Sequence, residues 1–162
     1  MWAGYFDEAM GGSGPEGHGL ARFNHDLTVD WLYPQGTGLP YISDCYTLNL
    51  DGETAHFCPY TDFRIQSASG DKVTDWGASP YRSAHDMLVR GADRALLSGW
   101  GSEYDVVTLV RIGQDGVRRF GAQCRIVLPM AWRHNACVTP AAAATYTPSP
   151  NGEGGTAPAW RR

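Results

Sequence analysis

One stretch, Pro80–Ser98, carries two end signals and a face pattern, and so does most to limit what this chain can fold into. Ser79 stands as an N-cap, its hydroxyl placed for the orphan N–H groups of a first turn. Pro80 follows at the first helical position, where a missing N–H costs nothing. Gly99 supplies a left-handed stop. At about 100° per residue, Tyr81, Ala84, Leu88, Gly91, Ala92 and Ala95 share one arc, and Arg82, Asp86, Arg90, Asp93 and Arg94 lie opposite. Arg82–Asp86 and Asp86–Arg90 are spaced for i,i+4 pairing. The stretch predicts a central helix whose small side chains let it lie close against a sheet.

Asp51-Gly52, between the β-prone runs of Tyr41–Cys58, predicts a type I′ hairpin. Folded about that turn, Leu50 faces Glu53, Leu48 faces Ala55, Tyr46 faces Phe57 and Cys45 faces Cys58. Counting outward, the two cysteines form a non-hydrogen-bonded pair with Cα atoms about 4.5 Å apart, within disulfide range. A Cys45–Cys58 disulfide is therefore expected. One face collects Tyr46, Leu48, Leu50, Ala55 and Phe57; the other collects the cysteines, Thr47, Asn49, Thr54 and His56. His56 beside two cysteines raises zinc, but three ligands on a flat face without a CxxC favour the cross-strand pair. Pro59 breaks the ladder, so Tyr60–Gln66 resumes only at an edge or after a bulge.

Leu27–Tyr33 alternates as a half-buried strand, and Ser67–Ala78 reads as a loop. Tyr104–Ile112 and Val117–Leu128 read as a second hairpin about Gln114-Asp115-Gly116. Its first face holds Val107, Leu109, Phe120, Ala122, Cys124, Ile126 and Leu128. Its second holds Val106, Thr108, Val110, Ile112, Val117 and Val127, with Arg119 and Arg125. One helix covers one face, so Val106, Val110, Ile112, Val117, Arg119 and Arg125 are expected at a homo-oligomer interface. The competing arrangement is a two-sheet sandwich that covers this side within one chain. Cys124 could pair with Cys137, although no local geometry supports that bridge. The offset shared by the two cysteine pairs is not read as an internal repeat, because the residues between do not match.

The fold class expected is thus α+β, mainly β: antiparallel sheets from two hairpins and an N-terminal strand, packed by one central helix. Residues 1–19 form an arm with a link of five glycines in nine residues, Gly11–Gly19. Within the arm, Trp2, Tyr5, Phe6 and Met10 have helical spacing. Residues 20–137 form the body. Residues 138–162, rich in Pro, Ala, Gly and Thr, form a second arm unable to build a core. No signal peptide and no membrane-length apolar run is read, so synthesis in the cytoplasm is expected.

No nucleophile–base set, P-loop, HExxH, dinucleotide fingerprint or paired CxxC is present, and no cofactor, metal or catalytic residue is assigned. The grouping His18, His25, Asp26 reads as a polar loop, and His85 and Asp86 as surface residues. A net charge of −4 argues against nucleic-acid binding, and Arg111, Arg118, Arg119 and Arg125 divide between two faces. Six Trp and eight Tyr would suit stacking on sugars, though aromatics at alternating strand positions are more often core.

The strand set Leu27–Gln66, the helix Pro80–Ser98 and the hairpin Tyr104–Leu128 resemble, in architecture, small virion proteins of tailed phages. Tail tube and tail-terminator subunits combine two antiparallel sheets with a flanking helix and lock rings through extended arms. The resemblance implies a homo-oligomeric structural subunit of a virion, contacting neighbouring virion proteins, with no enzymatic role. Exit from the reducing cytosol would accommodate disulfides. The alternative is a binding module directed at a carbohydrate or a host protein; a small hydrolase stands third.

Overall fold

Side-chain alternation at period two, rather than a helical period, organises this chain. The structure, a computed structural model, describes residues 1–60, 62–97, 99, 103–126 and 146–148. Its strands form three antiparallel sheets. The first contains β1 (Trp2–Gly4), β2 (Leu20–Phe23) and β3 (Val29–Leu32). The second is a meander of β4 (Asp44–Asp51), β5 (Thr54–Tyr60), β6 (Arg64–Ser69) and β7 (Lys72–Ala78). The third contains β8 (Asp86–Arg90), β9 (Asp93–Leu97), β10 (Val106–Gly113), β11 (Gly116–Arg119), β12 (Cys124–Ile126) and β13 (Tyr146–Pro148). Its order is β13-β12-β10-β9-β8, with β11 also paired to β10.

The second sheet lies in the middle and is buried on both faces. Towards the first sheet, Phe57 and Ala68 meet Leu20 and Tyr33, with Trp2, Trp31, Leu48 and Val73 around them. Towards the third, Cys58, Ile65 and Trp76 meet Met87, Leu96, Val106, Val110 and Ile112. Ala55 through Pro59 and Ile65 through Ala68 are accordingly buried without a break. Such continuous burial is what a sheet covered on both sides requires.

The expected helix over Pro80–Ser98 is not formed, which corrects the class from α+β to a mainly β fold of three antiparallel sheets. Among the described residues there is no α-helix; 3-10 turns span Asp7–Gly11 and Pro15–His18. Ser79 does accept the N–H of Tyr81 on its Oγ, at 3.1 Å, but within a loop. Ser83 then takes a φ of 67°, which no right-handed helix continues. From Asp86 the chain forms a hairpin whose Arg90 pairs with Asp93 around Gly91-Ala92. Gly91 has a φ of 57°, placing glycine at the first central position of a type II′ turn. Packing decides the outcome: Met87 and Leu96 are Cα partners in the hairpin and both wholly buried. At about 100° per residue a helix would send them to opposite sides. The flanking helix that supported the resemblance to phage tail proteins is therefore missing.

The first hairpin forms with its turn one residue later than expected. Asp51 pairs with Thr54 and Leu50 with Ala55, so Gly52-Glu53 is the turn, with Gly52 at a φ of 60°. Cys58 consequently faces Thr47, not Cys45. A bulge between Asp44 and Thr47 sets Cys45 and Tyr46 opposite the single residue Pro59, which has no N–H to give the ladder. The extra residue inverts the faces: Cys45 joins the core towards the first sheet, and Tyr46 packs on the core towards the third. The geometric basis for a Cys45–Cys58 disulfide is thus lost, and both carry free thiols.

Residues 1–19 fold back on the body rather than extending as an arm: Trp2–Gly4 joins the first sheet and two 3-10 turns lead to β2. β1 pairs with β2, Trp2 packs on the core, and the Cys45 N–H donates to the Tyr5 carbonyl at 2.8 Å. Leu27–Tyr33 is strand only over Val29–Leu32, because Leu27 turns at a φ of 67° and is exposed. The expected loop Ser67–Ala78 is instead largely strand, folding about Gly70-Asp71. Of the expected C-terminal arm, Tyr146–Pro148 forms β13; the rest of 138–162 lies outside the described residues. No helix among the described residues is long and apolar enough to cross a membrane.

The first four strands of the third sheet, β8 to β11, repeat the second sheet. β4 packs against β8 and β7 against β11. Aligning Gly52 with Gly91 matches Leu48 to Met87, Leu50 to Val89, Phe57 to Leu96 and Cys58 to Leu97. Aligning Asp71 with Asp115 matches Val73 to Val117 and Trp76-Gly77-Ala78 to Phe120-Gly121-Ala122. Gly77 and Gly121 both have positive φ, 111° and 66°. The two spacings differ because the β9–β10 connection is longer than the β5–β6 connection.

Gly91→Ala separates hairpin from helix by sign. A Cβ at Gly91 would meet nothing within 4 Å, so only backbone strain counts. In the turn the substitution costs about 1 kcal/mol, whereas inside a helix it would stabilise by about as much. Urea unfolding should show a lowered midpoint; a raised midpoint would contradict the hairpin.

Candidate functional site

The connections divide by length. Turns of two residues join β4 to β5, β6 to β7, β8 to β9 and β10 to β11. The other end of each meander carries the irregular connections, where binding residues tend to collect. There, aromatic rings from separate connections touch in sequence. Tyr104, before β10, stacks on His85, before β8, with centroids 6.1 Å apart and planes 10° apart. His85 lies 5.8 Å from Tyr46 at the β4 bulge. Tyr46 lies 5.9 Å from Tyr60 at the end of β5, and Tyr60 meets Phe63 edge-on at 5.4 Å. Phe63 is buried and anchors the row, while Tyr104 is 50% and Tyr60 37% exposed.

Carboxylates border these rings. Burial, then Asp44 and Asp7, raise the Tyr46 hydroxyl pKa. Asp44 Oδ1 accepts the Asp7 N–H at 2.8 Å, which fixes that acidic edge. Tyr81 donates to Glu103 at 3.2 Å, and burial followed by the Glu103 charge pushes its pKa to about 12. Asp105 holds Arg125 at 2.5 Å. The result is a shallow surface of flat apolar rings edged by hydrogen-bond acceptors.

A second polar cluster is sealed between the second and third sheets. Arg94, beside the Gly91 turn, is 2% exposed and donates to the Gly91 carbonyl at 2.6 Å and the Asp93 carbonyl at 2.9 Å. Its other terminal nitrogen sits 3.0 Å from Nδ1 of the buried His56, which must accept and hence be neutral there. Burial and then the Arg94 charge lower the His56 pKa to about 4. This cluster orients the two sheets but offers no route for a substrate.

The residues expected at an oligomer interface are dispersed by the fold. Val106, Val110 and Ile112 are buried against the second sheet, with Val117 packed beside them. The competing arrangement, cover from within the chain, is the one observed, and this corrects the expected interface. Arg119 is exposed, and Arg125 is tied to Asp105. Arg119, Arg111, Arg118 and Phe120 line a concavity of about 370 Å³ at the β10–β11 tip. Two of its charges are already paired there, Arg111 with Asp93 and Arg118 with Asp115.

Burial pushes the thiols of Cys45 and Cys58 up to about 12, so neither is a nucleophile at neutral pH. Cys124 is a free thiol, and Cys137 lies outside the described residues. His18 is 2.9 Å from the Tyr33 carbonyl, and Asp26 accepts from Thr28, so that grouping serves local turns. Among the described residues, no three His, Cys, Asp or Glu side chains converge as metal ligands.

Lowering pH should expose the buried His56. Its folded pKa of about 4 lies below the free value of 6.5, so the unfolded chain binds the proton more readily. The His56 contribution is complete above about pH 6.5 and is lost as pH falls towards 4, on the order of 3 kcal/mol. His56→Gln should flatten this part of a stability–pH curve measured by urea unfolding. An unchanged slope would show that His56 is not buried beside Arg94.

The ring row has no local pattern in the sequence, because Tyr46 and Tyr60 come from two strands and His85 and Tyr104 from two connections. No family model, curated protein or solved structure matches this chain, so its functional reading rests on this geometry.

Proposed function

We propose that the chain is a non-enzymatic binding module and that its ligand is a carbohydrate lying along Tyr104, His85, Tyr46 and Tyr60. One observation carries this reading: partly exposed rings from β4, β5 and two connections form a continuous row edged by carboxylates. Flat rings bury the apolar C–H faces of a sugar, while acceptors at the rim take its hydroxyl protons. No deep pocket is needed, because an extended chain of sugar rings gains affinity from repeated shallow stacking. A glycan array followed by titration of the best binder tests it. Tyr104→Ala should weaken binding about tenfold, equivalent to about 1.4 kcal/mol, with the melting temperature held. Absence of any glycan binding, or unchanged affinity in the variant, would reject the sugar reading.

A second reading, a structural subunit of a phage-like virion, is supported by a different observation. The face of the third sheet turned away from the second carries apolar side chains, with Leu88 41% exposed. Regular rings or tubes in negative stain of the purified protein would favour it; isolated particles without order would reject it.

A further inference from the structure

We infer that the concavity at the β10–β11 tip binds the phosphate group of a small soluble ester, at a site separate from the ring row. The concavity, of about 370 Å³, is lined by Arg111, Arg118 and Arg119, by one carboxylate, Asp115, and by Phe120. Three guanidiniums against one carboxylate make its wall positive, although the chain as a whole carries a net charge of −4. Antiparallel pairing assembles it: Arg111 and Arg118 are Cα partners, and Arg119 pairs with Val110 one step further on. The wall is open to solvent. The Arg111 and Arg118 side chains are 59% and 73% exposed, and Arg119 is exposed beside them. The tip belongs to the end of the molecule that carries the two-residue turns, opposite the end where Tyr46, Tyr60, His85 and Tyr104 meet.

Each guanidinium keeps N–H groups to offer. Arg111 gives Nε and Nη2 to Asp93, at 2.6 and 3.0 Å, and lies 4.7 Å from the centre of the Phe120 ring. Those contacts fix its plane and leave Nη1 without a partner among the described residues. Arg118 makes one contact, from Nη2 to Asp115 at 3.3 Å, between side chains 73% and 80% exposed. An ion pair so exposed contributes little, so an incoming dianion can displace the carboxylate. The Arg119 side chain makes no ion pair or hydrogen bond among the described residues. A guanidinium holds its charge at neutral pH and presents donors in a planar fork that matches two phosphate oxygens. A phosphate monoester offers three acceptor oxygens and a charge of about −1.5 to −2. That suits three guanidiniums better than the two oxygens and single charge of a carboxylate. The volume lies at the small end of ligand clefts, about 300–1,000 Å³. One concavity at one hairpin tip fits a small ester rather than a long polyanion, which needs positive charge continued along its path.

Isothermal titration of the full chain with glycerol 3-phosphate in dilute salt tests the inference, with glycerol as the control ligand. Wild type should bind the ester and not glycerol. Arg119→Gln should weaken binding about tenfold, because it removes a charged donor set from the wall. Arg82→Gln removes the same charge from an exposed position outside the concavity and should leave binding unchanged. Asp115→Asn removes the competing carboxylate and should tighten binding. All three side chains are exposed, so the variants should fold, which circular dichroism and melting check. Tyr104→Ala should bind the ester like wild type, so failure of the sugar reading would leave this site standing. A wild type that binds no ester at millimolar concentration would overturn the inference, as would equal losses in Arg119→Gln and Arg82→Gln. Binding to anionic lipid vesicles without binding to the soluble ester would overturn it as well.

Discussion

Everything in this molecule depends on a four-stranded sheet that is covered on both faces. A sheet in that position has no solvent side on which to place polar residues, so each inward polar group needs a partner inside the protein. Tyr33 donates from the first sheet to the Pro40 carbonyl at 3.0 Å and is 3.1 Å from Gln66 Oε1 in the second. Trp76 donates to Ser67 Oγ at 2.9 Å, and Asn49 donates to the Met87 carbonyl at 2.6 Å. These bonds are directional where apolar packing is not, and two of them, Tyr33 to Gln66 and Asn49 to Met87, join one layer to the next. The arrangement is not free of cost: Thr47 Oγ1, Gln66 Nε2 and Arg94 Nε are buried without a hydrogen-bond partner.

The same constraint separates stability from function. The sheet interfaces hold the strongly perturbed His56 and the buried Arg94, which face each other across a closed seam. The ring row lies instead where irregular connections leave the sheets. The Pro59 bulge links the two, because it turns Tyr46 towards the third sheet, within reach of His85. Without the extra residue, Tyr46 would face the first sheet and the ring row would be broken. A backbone irregularity imposed by proline thus positions a side chain of the candidate site.

Parity was the most legible property of the sequence. The division of Leu48, Ala55 and Phe57 from Thr47, Asn49 and His56 is present in the structure, as is the side shared by Val106, Val110, Ile112 and Val117. A register shift of two leaves parity untouched, so the first hairpin kept these faces while losing its cysteine pairing. The bulge was foreshadowed by Pro59, but its effect on Cys45 and Tyr46 depends on where the extra residue enters. Pro80–Ser98 misled because Ser-Pro, spaced charges and small residues are compatible with a helix locally, and only the burial of Met87 against Leu96 excludes it. Gly91-Ala92 was the contrary signal, of the same kind as Gly52-Glu53 and Gly70-Asp71. The repeat stayed hidden because its two hairpins are offset by different amounts. The ring row had no sequence signature at all, since contact among residues of β4, β5 and two connections exists only after the sheets stack.

Hydrogen exchange resolved to single amides tests the central claim most directly. A middle sheet covered on both faces should exchange slowest, and its inner strands β5 and β6 should open only with the whole molecule. The account predicts maximal protection at Ala55–Phe57 and Ile65–Ala68, and weaker protection at the β1 and β8 edges. Slowest exchange instead along an unbroken run from residue 82 to 97, with β5 and β6 exchanging early, would contradict it.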